Sequence, residues 1–409
     1  MILRGIECRI YPNIEQSVFL NKHFGARRFV KNKLLGMAIF FYSRLRSGKT
    51  KQKFKLNKIS LINLSKKLKD LKRYGWLNEI NSQVIQQAAM DLMVAFQNFF
   101  KKEAGFPRFE RKSGEQSFRV PQHFSLDIED GRVFIPKLKT GIKIVLHREL
   151  PNGATIKSLT FKKTSSGKYF VSILVNSESG FVTQVKNVLK RASIGIDLGL
   201  TFLLALSNGE TIAAPRFLRK GEKQLKHLQK ELSRKVKGSK NWHKARIKLA
   251  KCHEQISNQR SDFLHKLSRK LVDENQVIYA ESLAVKNMVK NHKLAKSISD
   301  AAWGELLRQI GYKGNLRQIG RYVRSTGICQ HCNHPVNEKL DLDIREWSCE
   351  SCAGHNDRDV AAAHRIEKVG QEMPELKPVE KKTSVLSFKR KIKPSSVKQE
   401  SSKKILELS

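Results

Sequence analysis

Apolar and polar residues alternate along ILRGIECRIYP at the start of the chain, the period of a strand with one buried face. From about Ile14 to Lys102 the period changes. FLNKHFGARRFVKNKLLGMAIFFY and QQAAMDLMVAFQNFFKK carry apolar residues three and four apart, which predicts helices with a packed face. Their phenylalanines read as helix-packing core. GFPRFERKSGEQSF (105–118) interrupts the pattern with Gly and Pro and reads as a loop. Over 119–180 short β-type runs return: FSLDI, GRVFIPKL, GIKIVLH, TIKSLTFKK and KYFVSILV, with turns at Asp130-Gly131 and Ser166-Gly167. Strands at this spacing predict a small barrel or sandwich. The N-terminal strand can complete it, making the helical stretch an insertion.

A second pattern begins at Ala192. SIGIDLGLTFLLALSNGETIAA reads as three strands, with a hairpin turn at Asn208-Gly209. Residues 220–272 are helical and basic. Trp242, Ala245, Leu249, Cys252, Ile256, Phe263, Leu267 and Leu271 recur at helical intervals and mark one core stripe, with Cys252 a small buried hydrophobe. QVIYAESL (276–283) is a further strand. After Gly370 the composition shifts to Lys, Ser, Pro and Glu, so 371–409 reads as a disordered basic tail.

Charge changes the picture. The 409 residues hold 79 Lys+Arg against 37 Asp+Glu, a formal net charge of +42. Such an excess implies a polyanion whose counterions are released on binding. No apolar run reaches the roughly 18–20 residues of a membrane span, and the N-terminus has no signal-peptide core. A cytoplasmic nucleic-acid-binding protein is the expectation. Arg27, Arg28, Lys31 and Lys33 are too dense to be core and are candidate nucleic-acid contacts, with a solvated surface as the alternative.

Of six cysteines, Cys8 and Cys252 stand alone. Cys329-x-x-Cys332, sixteen residues, then Cys349-x-x-Cys352 has the spacing of a four-cysteine zinc ribbon. Two such knuckles close a tetrahedron and leave no position for water, which makes the zinc structural. Among acidic residues, Asp197 lies in the apolar strand SIGIDLG and Glu281 ends VIYAE. A carboxylate buried alone costs several kcal/mol, so each needs a cation, either a metal ion or a Lys or Arg at the sheet edge. Asp357 and Asp359 follow the second knuckle. Residues two apart on a helix face different ways, so both cannot point at one ion pair. Asn356 is a candidate N-cap, with Asp359 three residues on as in a capping box.

GIDLGLTFLLALSNG, YAESLAVKNMVKN, LAKSISDAAWGEL, GYK, STGICQHC and CESCAGHNDRDVAAAHRI occur in that order. Together with IYPNIEQ, FGARRFVKN and FPRFERKSGEQSF they make the chain resemble TnpB, to about residue 370. TnpB is the family of transposon-encoded RNA-guided nucleases ancestral to type V CRISPR effectors. The resemblance implies a multidomain α+β and α/β architecture. A wedge β-barrel (1–13 and 105–190) would be interrupted by a helical recognition lobe (14–104). A RuvC-type nuclease of RNase H fold (191–324 and 354–370) would carry the zinc ribbon as an insertion (325–353). It further implies a monomer with a guide RNA from the transposon end, double-stranded target DNA, and Mg2+ or Mn2+ held by Asp197, Glu281 and Asp359, with Zn2+ in the ribbon. Two rival functions remain at this point: RNA-guided binding without cleavage, and direct transposition on transposon ends. Ala361 and Arg365 stand where the family pattern has asparagines, which removes two amides but no metal ligand.

Overall fold

In the computed structural model, which describes residues 2–47, 56–150, 153–177, 191–336 and 344–373, the alternating N-terminal run forms β1 (Ile2–Tyr11). Ile6, Cys8 and Ile10 are buried, while Glu7 and Tyr11 face outward. Three helices follow: α1 (Ile14–Arg46), α2 (Lys58–Asp70) and α3 (Ser82–Phe100), with a 3-10 segment at Lys72–Glu79 between the last two. Asn57 and Asn81 cap α2 and α3 by accepting from Ser60 N and Gln83 N. The chain then returns to strands β2 (Gln116–Val120), β3 (Ser125–Asp127), β4 (Arg132–Phe134), β5 (Ile142–Val145), β6 (Thr155–Lys163) and β7 (Tyr169–Ser177).

These strands form one antiparallel sheet in the order β2-β6-β7-β1-β5-β4-β3. β1 is thus central, between strands from more than a hundred residues later, and the helices are inserted between it and its neighbours. The predicted barrel is not closed: among the described residues β2 and β3 end the sheet without pairing to each other. The predicted loop at 105–118 is also too long. β2 begins at Gln116, because QSFRV alternates and Phe118 stacks on Phe161 at 5.2 Å inside the core. That core joins the inner sheet face to α1, α2 and α3.

The second half contains β8 (Arg191–Leu198), β9 (Phe202–Leu206), β10 (Thr211–Ala213), α4 (Phe217–Ser233), α5 (Lys240–Glu274) and β11 (Asn275–Glu281). It continues with α6 (Val285–Met288), α7 (Ala295–Ala301), α8 (Trp303–Lys313), β12 (Asn315–Ile319), β13 (Glu346–Ser348), β14 (His355–Asp357) and α9 (Arg358–Glu372). The helical region predicted at 220–272 is a hairpin, broken after Ser233 and turning through Gly238 at φ +91°. Its stripe holds, with Ala245, Cys252, Ile256, Leu267 and Leu271 buried. A five-stranded sheet has the order β10-β9-β8-β11-β12, antiparallel through β8 and parallel beyond it. α5, α7 and α8 pack on one face of it. Ile366 and Val369 of α9 cover the other, against Tyr279 and Ile319. Among the described residues no helix is long and apolar enough to cross a membrane. The predicted tail lies, beyond Met373, outside the described residues.

Candidate active site and metal centre

Parallel pairing fixes the first two carboxylates. Ile196 is in register with Ala280, so the next residues, Asp197 and Glu281, are neighbours at the carboxyl ends of β8 and β11. Open sheets of this kind bind ligands at such strand ends. The third carboxylate comes from α9, which lies flush on β8. A Cβ on Gly195 would sit 2.0 Å from the Ala363 carbonyl oxygen, so only glycine fits there. Ala361, Ala362 and Ala363 form the matching small buried face.

The register of this contact extends along the helix. Ser193 Oγ donates to Glu367 Oε1 at 2.5 Å and accepts from Gln371 Nε2 at 2.8 Å, and Gly195 meets Ala363 and Glu367. Two strand residues span about 6.6 Å and four helix residues about 6 Å, so the same step brings Asp197 level with Asp359.

The electrostatics agree. Burial, then the fields of Glu281 and Asp359, push the Asp197 carboxyl up to about 7, against a backbone amide at Leu198 and the nearby Arg358 cation. Each of the other two carboxylates has a protein partner. Glu281 accepts a short hydrogen bond from Ser325 Oγ. Asp359 pairs with Arg345 at 3.2 Å, and that guanidinium also donates to Thr201 Oγ1 at 3.1 Å. The hydrophobic pattern assigns no role to Ser325, Arg345 or Thr201: Ser325 lies 44 residues from Glu281, Arg345 14 from Asp359 and Thr201 144 from Arg345.

The structure corrects the helix cap. Asp357, not Asn356, is the N-cap, and its Oδ1 accepts from Asp359 N at 2.9 Å and Val360 N at 2.8 Å. Asn356 is fully buried in β14 and serves the knuckles. Its Oδ1 accepts from Gln330 N at 2.9 Å and its Nδ2 donates to Gly354 O at 2.8 Å and Cys329 Sγ at 3.5 Å. Asp357 thus caps the helix and Asp359 is left to face the other carboxylates. Of the two departures from the family pattern, Ala361 belongs to the buried small face. Arg365 has a buried Nε without a hydrogen-bond partner among the described residues.

The four cysteines converge. Their sulfurs all lie within 4.8 Å of one another, with Cys329–Cys352 at 3.7 Å and Cys332–Cys349 at 3.6 Å. Sulfurs about 2.3 Å from a central zinc are about 3.8 Å apart in a regular tetrahedron, so the donor set fits that ion. Burial alone would raise the Cys329 thiol. The amides of Cys332 and His331, with the Asn356 side chain and Cys352, outweigh it and bring the thiol to about 6. Asn333 and Ala353, which follow each second cysteine, take left-handed backbone at φ 61° and 54°. β13 leads into the second knuckle, and β14, paired with it, leads from the knuckle into α9.

The four basic candidates on α1 separate. Arg27 bridges Asp91 at 2.8 Å and Glu110 at 2.7 Å, and Lys31 bonds Glu110 at 2.6 Å, so Arg27 ties α1 to α3 and both tie it to the segment before β2. Arg28 has a buried Nη1 with no hydrogen-bond partner among the described residues. Lys33 is exposed, over the Tyr74 ring. A shared basic face is therefore not what Arg27 and Lys31 form.

Three family models match the chain. One, described as "Probable transposase", covers residues 172–292, and a "Cas12f1-like, TNB domain" covers 303–366. A "Helix-turn-helix domain" covers 1–44, where this structure has one strand and one continuous helix. A "Putative RNA-guided DNA endonuclease" of Streptomyces pristinaespiralis is 36% identical over 378 residues, 90% of each chain. The protein InsQ of Escherichia coli K12, described in the same words, is 32% identical over 72% of this chain and 76% of its own. A solved Cas12f1–sgRNA–target DNA complex aligns at a TM-score of 0.49 and 12% identity, over 89% of this chain and 98% of that one.

Proposed function

The chain belongs to the TnpB-like family of RNA-guided DNA endonucleases, and from that membership we propose that it cuts DNA phosphodiester bonds, at a target chosen by pairing with a bound guide RNA, through Asp197, Glu281 and Asp359. One observation carries the site: three carboxylates from two parallel strand ends and one helix start come together where burial, and then the fields of Glu281 and Asp359, raise Asp197 to about 7. Such a cluster is stable when a cation replaces the proton. The strand order supports an RNase H-like reading of this sheet, with β10-β9-β8 antiparallel and β11 and β12 parallel to β8. The cysteine tetrad supports a zinc-ribbon reading of the inserted knuckles.

When bound, a divalent ion pair stabilises the attacking and leaving oxygens of an in-line displacement. The chain's own residues do the rest. Asp197 and Glu281 are fixed by strand pairing and Asp359 by the Gly195–Ala363 contact. Arg345 neutralises Asp359, and Ser325 orients Glu281. Base pairing would supply sequence choice, while the net charge of +42 supports a large phosphate-backbone contribution to RNA and DNA binding.

Asp197→Ala is expected to abolish cutting of a target plasmid by the protein–RNA complex while leaving RNA and DNA binding within about twofold of wild type. A variant that still cuts in Mg2+ overturns the carboxylate assignment. Wild-type complex that binds but never nicks supports the binding-only reading instead.

A further inference from the structure

The segment Lys296–Trp303 carries none of the three carboxylates, yet it touches both the basic hairpin and the strand end that bears Asp197. Asp300, its side chain 6% exposed, accepts the Leu218 amide at 3.1 and 3.2 Å and Arg260 Nη2 at 3.2 Å. It caps α4 from outside, because Arg216 at the cap position is left-handed at φ 52° and offers no side-chain bond. Arg219 to Ser297 at 3.0 Å and the Lys296–Glu222 pair strengthen the same junction.

At the other end, Trp303 is 2% exposed and its Nε1 donates to the Gly199 carbonyl at 3.3 Å. Gly199 is two residues beyond Asp197. Its own amide bonds Leu203 O at 3.3 Å, and a Cβ there would sit 2.7 Å from Phe202 O, so the β8–β9 turn has no slack. Between the two contacts stands Ala302 at φ 54°, ψ 40°. A left-handed non-glycine residue is strained and persists where surrounding contacts hold it. This bend lets Asp300 face α4 while Trp303 faces the turn.

Resting on the carboxylate reading above, we infer that Asp300 and Trp303 are positioning residues for Asp197, a strut from the α4–α5 hairpin to the carboxyl end of β8. Ligating side chains need placement within about 0.5 Å, and the Gly199 carbonyl is the handle by which the strut sets the strand end. The hairpin's outward side carries the exposed Lys223, Lys230, Lys244, Lys248 and Lys251. A polyanion pressing on that face would therefore act on the strand end through Asp300.

Trp303→Phe, Asp300→Asn and Asp300→Ala test the strut by amide exchange on the metal-free protein and by cleavage kinetics. Trp303→Phe keeps a buried aromatic side chain and loses the fused pyrrole ring with its N–H donor. It should lower turnover by roughly 5- to 20-fold and raise the half-saturating Mg2+ concentration, with KM for target DNA unchanged. Exchange should accelerate at 198–203. Asp300→Ala should accelerate exchange at both 217–221 and 198–203, and Asp300→Asn, which keeps an acceptor, should fall between it and wild type. The strut is overturned if 198–203 exchanges at the wild-type rate in Trp303→Phe, or if Asp300→Ala loosens 217–221 alone. Should Asp300→Ala fail to fold, the other two variants carry the test. Asp197→Ala separates the two readings. If it still cuts, the carboxylate assignment fails while the exchange result stands. If it is dead and Trp303→Phe and the folded Asp300 variants turn over at the wild-type rate, the strut fails.

Discussion

His23 is held neutral from both sides. Its Nδ1 donates to Phe19 O at 2.9 Å, its Nε2 accepts from Asn81 N at 3.2 Å, and only 2% of it is exposed. Burial pushes its pKa down to about 4, with Lys137 and Lys22 helping and the Phe19 carbonyl opposing. The folded state thus refuses a proton that the unfolded chain takes at about 6.5. His23's contribution is fully present above that pH and is lost as pH falls toward 4, a change of at most about 3 kcal/mol. Denaturation midpoints across pH 4–7 should show this slope in wild type and a flatter one in His23→Phe. Ala353 poses a backbone question at the same scale. Its φ of 54° is a position glycine occupies without strain, so Ala353→Gly should keep the knuckle and gain up to about 1 kcal/mol. A lowered midpoint in the zinc-loaded protein would contradict this.

Among the elements, α9 depends most on one residue. With Gly195 pressed against the Ala363 carbonyl, Gly195→Ala must push the helix off β8 and carry Asp359 away from Asp197. Cleavage should fall by more than about a hundredfold, with a stability loss of roughly 1–3 kcal/mol read by thermal melting. Ala302 should behave oppositely. Ala→Gly in a helix costs about 1 kcal/mol, but at φ 54° the substitution should be neutral or stabilising. Legibility in the sequence differs between elements for physical reasons. β6, β7, β8 and β11 are readable because they bury apolar residues on at least one face. β12 is not, since NLRQI fully buries Ile319 alone and pairs only with β11, from far upstream. Asp197 and Glu281 stand out as carboxylates ending apolar runs. Asp357's cap does not, because choosing it over Asn356 requires knowing that β14 and the knuckles already occupy the asparagine amide. Arg27 and Lys31 look like a free basic face until Glu110 and Asp91 are brought beside them.

Across the whole molecule, the two halves are tied by specific contacts between the described residues. One is Lys168, beside the β6–β7 turn, which pairs with Glu254 on α5 at 2.8 Å. The zinc-type knuckles are the other long-range device, since β13 and β14 hand the chain to α9 and present Arg345 to Asp359. Removing metal from the tetrad, by chelation or by Cys349→Ser, should release bound zinc and reduce cleavage at least about tenfold, with guide RNA binding retained. Metal analysis beside a plasmid assay checks this. A zinc-free protein that cuts normally would separate the knuckles from the third carboxylate. That Asp359 follows Asp197 and Glu281 in chain order also has a consequence in time. During synthesis, Asp197 and Glu281 leave the ribosome well before the second knuckle and α9 exist. A chain stalled before residue 359 has basic surface for nucleic acid but only two of its three carboxylates. Incomplete products would hold nucleic acid without breaking it, and cutting would begin only once α9 has been made.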